Sequence, residues 1–127
     1  SLSDVHWTNL LLNIFNKSIK EYKKIHNLNE YNFNVIDMQL LKYIKGGHYK
    51  FHVDDSRGAQ RLISCIFLIN ENYEGGDLLF KDYSSNEIIE VKKRENMLLV
   101  WPSNFLFPHS VKPVTEGERY SVVAWAK

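Results

Sequence analysis

The stretch KFHVDDS, from Lys50 to Ser56, holds His52 and Asp54 two residues apart. On a strand, side chains at this spacing point to the same face, so an imidazole and a carboxylate would lie side by side. The tripeptide fits two interpretations, an ordinary polar turn at the end of a strand or half of a metal site. The rest of the chain has to decide between them.

A metal site of this kind needs a third ligand from another strand, because two histidines and one carboxylate form the facial ligand set of non-haem Fe(II) sites. Five histidines are available, of which His6 and His26 belong to the N-terminal segment. His48 would lie about 13 Å from His52 along the same strand, at about 3.3 Å per residue. His109, in FPHSV, lies on a later strand that a barrel can bring beside His52. His109 is therefore the predicted third ligand.

Arg119 and Ser121, in ERYSVVAW, would also share one face of a strand. An arginine that points into a pocket is costly to bury without an anion, and its planar fork suits a carboxylate. The alternative is that Arg119 opens a strand at the surface and forms a salt bridge with Glu116 or Glu118. The residues alone leave both interpretations open.

The elements that must position these residues are one helix and a series of short strands. Apolar residues recur at three- and four-residue steps from Leu11 to Ile25, which predicts an amphipathic helix that ends in HNLNEYNFN. About eight strands separated by turn residues follow. They lie in VIDMQLLKYI, HYKFHVD, LISCIFLI, DLLF, EIIEV, NMLLVW, SVKPV and RYSVVAWA. This pattern predicts a mainly β sandwich or barrel with an N-terminal supporting helix.

The composition limits the classes of protein to consider. We expect 127 residues to form one domain, with a supporting helix in residues 1–34 and a β core in residues 35–127. A net charge of +1 provides no strong field for nucleic acid or an acidic membrane. No apolar run is long enough to span a bilayer, and the N-terminus lacks the pattern of a secretion signal. One cysteine, Cys65, permits no intrachain disulfide and fits a reducing compartment, so we expect a cytoplasmic location.

The motifs, taken in order, resemble the Fe(II)/2-oxoglutarate-dependent oxygenases, and among them the prolyl 4-hydroxylase group. The likeness runs from Met38 to Trp125. KYIKGGHYKFHVD resembles the strand and Gly-rich turn before the first metal ligands, and RLISCIFLINENYEGGDLLF resembles the central strand, its turn and the following Gly-Gly segment. LLVWPSNFLFPHSVKPV resembles the segment of the distal histidine. RYSVVAW resembles the closing strand with its arginine and tryptophan.

The resemblance implies a double-stranded β-helix, a jelly-roll or cupin-like barrel, in which Fe(II) binds His52, Asp54 and His109. It implies that 2-oxoglutarate chelates the iron and that Arg119 holds its distal carboxylate. The positions expected around this cosubstrate are Arg119, Ser121, Tyr43, Ile66, Leu78 and Trp125. Core packing is the alternative for Tyr43 and Trp125. A second tyrosine contact found in some relatives is missing, because the run Cys65 to Leu68 contains no tyrosine.

The activity implied by the resemblance is the O2-dependent hydroxylation of an unactivated C–H bond, with release of succinate and CO2. The resemblance points to a prolyl residue of a peptide or protein as the substrate, and it also admits L-ascorbate as a cofactor. Arg57 and Arg61, in and after the loop DSRGAQ, are candidate substrate contacts, with a solvated loop as the alternative.

Two other functions stay open from the sequence. The first is a non-catalytic β-barrel binding module. The second is nucleic-acid demethylation, for which RYSVVAW lacks the asparagine and second arginine of the alkylation-repair relatives and the charge is near neutral. The sequence leaves the oligomeric state open.

Overall fold

The computed structural model describes residues 1–127, which form one α-helix followed by ten β-strands. The helix is α1 (Leu2–Ile25). The strands are β1 (Val35–Tyr43), β2 (Tyr49–His52), β3 (Ile63–Leu68), β4 (Glu74–Gly75), β5 (Leu78–Lys81), β6 (Ile88–Val91), β7 (Met97–Pro102), β8 (His109–Val111), β9 (Val114–Glu116) and β10 (Arg119–Ala126).

Helix α1 is fixed at its start by a capping box. The hydroxyl of Ser1 accepts a hydrogen bond from the backbone N–H of Asp4, and the carboxylate of Asp4 accepts one from the amino group of Ser1. Phe15 and Ile19 of the predicted apolar stripe are fully buried, whereas Ile25 at the end of the stripe is exposed. The helix therefore contacts the barrel through its middle turns. It is not apolar and long enough to cross a membrane.

Two four-stranded antiparallel sheets form the barrel, in the orders β1-β10-β3-β7 and β2-β8-β5-β6. One face of the first sheet packs against α1 through small and branched side chains, which surround Phe15 and Ile19. These are Ile63, Cys65, Val122, Ala124 and Ala126. The other face looks into the barrel and packs against the second sheet. That inner cluster consists of Ile66, Leu68, Leu78, Trp101 and Val111.

The predicted fold class is confirmed, with differences in three segments. The turn NENYEGG contains a short strand, β4, which pairs with β9. SVKPV is divided into two strands around Pro113, because proline cannot donate to a ladder. The strand in HYKFHVD ends at His52, so Asp54 lies beyond the strand and not on it.

Candidate metal and cosubstrate site

The three predicted metal-ligating side chains meet at one end of the barrel. His52 ends β2 and His109 begins β8, and the two residues are direct partners in the ladder. Oδ1 of Asp54 lies 3.3 Å from Nε2 of His52 and 3.3 Å from Nε2 of His109. The ligand atoms all lie within 4.8 Å of one another, close enough to share one metal ion.

A β-bulge in β2 sets the direction of His52. Tyr49 pairs with Val111 and His52 pairs with His109, so β2 has one more residue than β8 between these two pairs. A bulge bends a strand and re-aims its side chains. His48 precedes the strand, where its Nδ1 lies 3.0 Å from the carbonyl oxygen of Gly46, so the expectation that it shares a strand with His52 is wrong. The ring of Tyr49, which was not among the predicted site residues, lies 4.2 Å from that of His52.

Both imidazole rings are oriented by backbone carbonyls. Nδ1 of His52 lies 2.8 Å from the carbonyl oxygen of Lys50, and Nδ1 of His109 lies 3.0 Å from that of Phe107. A carbonyl can only accept, so each Nδ1 carries the hydrogen. In the neutral ring this leaves a lone pair on Nε2, the atom that faces Asp54, which is the tautomer that a metal requires.

The two oxygens of Asp54 have separate environments. Oδ2 accepts hydrogen bonds from Ser64 Oγ at 2.6 Å and from Trp125 Nε1 at 3.1 Å, while Oδ1 faces the histidines. Ser64 is in turn bonded to Ser103 through their hydroxyls at 2.7 Å. Neither serine was among the predicted site residues. One sequence feature could have indicated this contact, because Ser64 places a hydroxyl on the inner face of the apolar run LISCIFLI.

The electrostatics of the site keep Asp54 ionised. Burial by itself would raise the pKa of this carboxyl, but the contacts of Oδ1 with His109 and His52 and the hydrogen bond from Ser64 outweigh burial and hold the pKa far below its usual range. For His52, burial would lower the pKa, but the carboxylate of Asp54 and the carbonyl of Lys50 together raise it above its ordinary value. The apoprotein therefore pairs an anionic carboxylate with a histidine that binds a proton readily.

Arg119 lies at the other end of the same cavity and is 1% exposed. Its Nε donates to the carbonyl of Gly76 at 3.0 Å and its Nη1 donates to Ser121 Oγ at 3.2 Å, while its Nη2 is buried without a partner. The surface interpretation of this arginine is wrong, since Glu118 pairs with Lys42 instead. A buried guanidinium with a free donor and no carboxylate partner has the properties of an anion site.

One cavity of about 780 Å³ connects the two ends. The guanidinium carbon of Arg119 lies 5.2 Å from the ring centre of Tyr43, and that of Arg61 lies 3.8 Å from the ring centre of Trp125. Ser121 contacts Arg119 without lining the cavity, and Arg57 lies on the exposed loop outside it. The other predicted site residues all line this cavity, namely Tyr43, His52, Asp54, Arg61, Ile66, Leu78, His109, Arg119 and Trp125.

The fold and this cavity define the chain as a double-stranded β-helix with a two-histidine, one-carboxylate centre at one end of the barrel. The family model of the 2OG-Fe(II) oxygenase superfamily matches residues 38–127. The chain belongs to this superfamily, as the motifs indicated.

Curated relatives share the core of the chain. A PKHD-type hydroxylase of Stenotrophomonas maltophilia (strain R551-3) is 37% identical over 95 residues, which cover 68% of this chain and 40% of the relative. A PKHD-type hydroxylase of Prochlorococcus marinus (strain MIT 9211) is 39% identical over 84 residues, covering 63% of this chain and 36% of the relative. The chain thus spans less than half the length of these relatives.

Solved structures agree with the fold. A prolyl-4-hydroxylase of Pseudomonas putida superposes with a TM-score of 0.62 at 26% identity, covering 75% of this chain and 51% of that structure. The viral collagen prolyl hydroxylase of Paramecium Bursaria Chlorella virus-1 superposes with a TM-score of 0.69 at 20% identity, covering 91% and 67%. The second likeness bears on the fold alone.

Proposed function

We propose that this chain is the catalytic core of an Fe(II)- and 2-oxoglutarate-dependent dioxygenase that hydroxylates a prolyl residue of a peptide or protein. The observation that carries the proposal is the shared cavity. Its one end is lined by His52, Asp54 and His109, whose ligand atoms lie within 4.8 Å of one another, and the cavity is also lined by Arg119, whose Nη2 is buried without a partner.

The donor set fits Fe(II). Two neutral imidazole nitrogens and one carboxylate oxygen are the protein ligands of non-haem Fe(II) oxygenases, which leave further coordination positions free. The backbone carbonyls beyond His52 and His109 fix the ring tautomers, and Ser64 and Trp125 hold the second oxygen of Asp54. These contacts prepare the ligands before a metal arrives.

The arginine end fits a dicarboxylate cosubstrate. Arg119 would bind the distal carboxylate of 2-oxoglutarate through its free Nη2, while Ile66 and Leu78 provide an apolar lining that limits water. Tyr43 lies beside the guanidinium and Ser121 supports it from behind. When bound, iron and 2-oxoglutarate supply the oxidising chemistry, which consumes O2 and releases succinate and CO2; L-ascorbate would serve to keep the iron reduced.

The names of the relatives and the position of Arg61 support a peptide or protein substrate. The relatives are named PKHD-type hydroxylases, and the Pseudomonas putida neighbour is a prolyl-4-hydroxylase. Arg61 stacks on Trp125 and makes a long 3.5 Å hydrogen bond to the carbonyl of Asp54, which places a fixed cation beside the metal ligands. It is the stronger of the two proposed substrate contacts, since Arg57 lies on the exposed loop away from the cavity lining.

A cytoplasmic location is a further part of the proposal. It is supported by the chemistry of Cys65, whose thiol is free and buried against α1. Burial raises the pKa of this thiol to about 12, so it stays protonated at neutral pH. None of the contacts of Cys65 therefore requires an oxidising environment.

The test of the cofactor assignment is an anaerobic titration of Fe(II) into the protein with 2-oxoglutarate, monitored by the weak visible charge-transfer band of the chelate. The wild type should develop the band. Arg119→Met should require much more 2-oxoglutarate, whereas the matched variant Arg94→Met, at an exposed arginine of the β6–β7 turn, should behave as the wild type. A folded wild-type protein without a band would overturn the proposal.

The test of the substrate uses the loaded enzyme with peptides that carry proline in varied contexts and with matched peptides that carry alanine. Mass spectrometry should detect the gain of one oxygen atom on a proline-containing peptide, in step with succinate release. Succinate release that never depends on a proline-containing peptide or protein would leave the dioxygenase chemistry standing and reject the prolyl substrate.

A further inference from the structure

The turn KKREN, between β6 and β7, contains one lysine that is partly withdrawn from solvent. Lys92, Arg94 and Glu95 are exposed, as expected for a solvated charge run, whereas Lys93 is half-buried. Its Nζ donates to the carbonyl oxygen of Gly75 at 3.1 Å. The site described above makes no use of this ammonium group.

The same ammonium contacts two more residues of the segment 73–77. It lies 4.3 Å from the ring centre of Tyr73, which is 4% exposed, and 3.9 Å from Oδ1 of Asp77. Lys93 therefore contacts Tyr73, Gly75 and Asp77, which lie on both sides of Gly76 in the segment 73–77. The cation–π contact and the charge-assisted hydrogen bond are the stronger contributions, because the Asp77 pair is long and partly exposed.

Gly76 is the residue that holds Arg119, since its carbonyl accepts the hydrogen bond from Nε. The fit is close, because a Cβ on Gly76 would lie 3.1 Å from Arg119 Cδ and 3.0 Å from Tyr73 Cε2. Gly75 and Gly76 both have positive φ, of 71° and 65°. Two consecutive glycines have many accessible conformations, so the turn needs contacts from outside to stay in this one.

We propose that Lys93 is a positioning residue for the cosubstrate. It fastens the segment 73–77 so that the carbonyl of Gly76 keeps the guanidinium of Arg119 aimed along the cavity before 2-oxoglutarate binds. This inference rests on the proposed function, because it concerns the arginine end of that site. Without Lys93 the fork of Arg119 must be ordered during binding, which weakens the affinity for 2-oxoglutarate and leaves the metal ligands unaffected.

The experiment compares Lys93→Met with Lys92→Met and Lys93→Arg in the same anaerobic titration, with Fe(II) saturating and 2-oxoglutarate varied. Lys93→Met should raise the dissociation constant for 2-oxoglutarate roughly tenfold, the order expected when one side chain must be immobilised on binding. Metal affinity, measured separately without cosubstrate, should stay unchanged. Lys92→Met should match the wild type, and Lys93→Arg should recover most of the affinity because it keeps the charge.

The outcomes separate this inference from the proposed function. A wild type that binds 2-oxoglutarate together with a Lys93→Met variant of equal affinity would overturn the role of Lys93 and leave the proposed function intact. Equal losses of metal and cosubstrate affinity in Lys93→Met, without recovery in Lys93→Arg, would show a general structural defect and also overturn it. A wild type that fails to bind 2-oxoglutarate would overturn both.

Discussion

The two ends of the cavity differ in how completely their polar groups are satisfied. At the metal end, both Nδ1 atoms and the outer oxygen of Asp54 have hydrogen-bond partners in the protein. At the other end, Arg119 has two partnered nitrogens and one buried nitrogen without any. The first end is preorganised by the chain itself, whereas the second keeps one buried donor free, which the proposed function assigns to an anion.

This difference indicates how each end should respond to substitution. A preorganised ligand set is sensitive to the neighbours that orient it, because those neighbours fix tautomer and direction. A buried cation without an anion is costly to the folded state, so we expect Arg119 to contribute to binding and not to stability. Substitutions at the two ends should therefore separate metal affinity, cosubstrate affinity and folding stability.

The largest effect is expected at Asp54. Asp54→Ala removes the oxygen that faces both histidines and leaves Ser64 and Trp125 Nε1 without their acceptor. We expect no measurable Fe(II) binding in isothermal titration calorimetry and no Fe(II)-dependent turnover of 2-oxoglutarate. Turnover at the wild-type rate would mean that Asp54 is not a metal ligand.

The next effect separates binding from stability. Arg119→Met should weaken 2-oxoglutarate binding by at least about thirtyfold, since truncating one partner of a buried charge pair costs roughly 2–5 kcal/mol. The free energy of unfolding of the apoprotein, from urea titration, should not fall, because the substitution removes a buried charge that has no anion. A marked loss of stability without loss of cosubstrate affinity would assign Arg119 to the core instead.

A smaller effect is expected from the hydrogen-bond partner of Asp54. Ser64→Ala removes the 2.6 Å hydrogen bond to Oδ2 and should lower Fe(II) affinity by roughly 10- to 100-fold, as is usual when a group that orients a metal ligand is removed. Ser84→Ala, at an exposed serine of the β5–β6 turn, is the control. Unchanged metal affinity in Ser64→Ala would show that Trp125 alone suffices to hold the carboxylate.

The smallest effect is a pH dependence of the apoprotein. The pKa of His52 is raised in the folded state, so its contribution to stability is complete below the ordinary histidine value of 6.5 and is lost as pH rises through the folded pKa. Urea titrations of the wild-type apoprotein should therefore show a free energy of unfolding that declines as pH rises above 6.5. This decline should be absent in His52→Gln. A decline of equal size in His52→Gln would assign it to another group.

The sequence was sufficient to predict the cluster of two histidines and one carboxylate, and insufficient to predict the residues that surround it. His52, Asp54 and His109 could be predicted because their types and order are restrictive. Ser64 and Ser103 could not, because Ser64 lies on β3 and Ser103 directly follows β7, and their proximity to Asp54 depends on the order of the sheet. A serine in an apolar strand can equally donate its hydroxyl to a nearby backbone carbonyl, so its presence does not identify a carboxylate partner.

The bulge in β2 and the very short strand β4 could also not be predicted from the sequence. The bulge in β2 leaves no mark in the sequence, and because β2 ends at His52, the contact between His52 and Asp54 does not come from alternation on a strand as the spacing suggested. Strand β4 has two residues, Glu74 and Gly75, and its pairing with β9 carries no pattern of its own. Its position matters because it adjoins the turn that holds Arg119.

The direct pairing of His52 with His109 across β2 and β8 makes the spacing of these two ligands a property of the backbone ladder. An insertion in the loop before β8 would lengthen a connection and leave the pair in place. A one-residue shift in the register of β8 would instead turn the side chain of His109 to the outer surface, so the three side chains would no longer meet although the barrel stayed closed. The loops around this site can therefore vary in length, whereas the register between β2 and β8 must stay fixed.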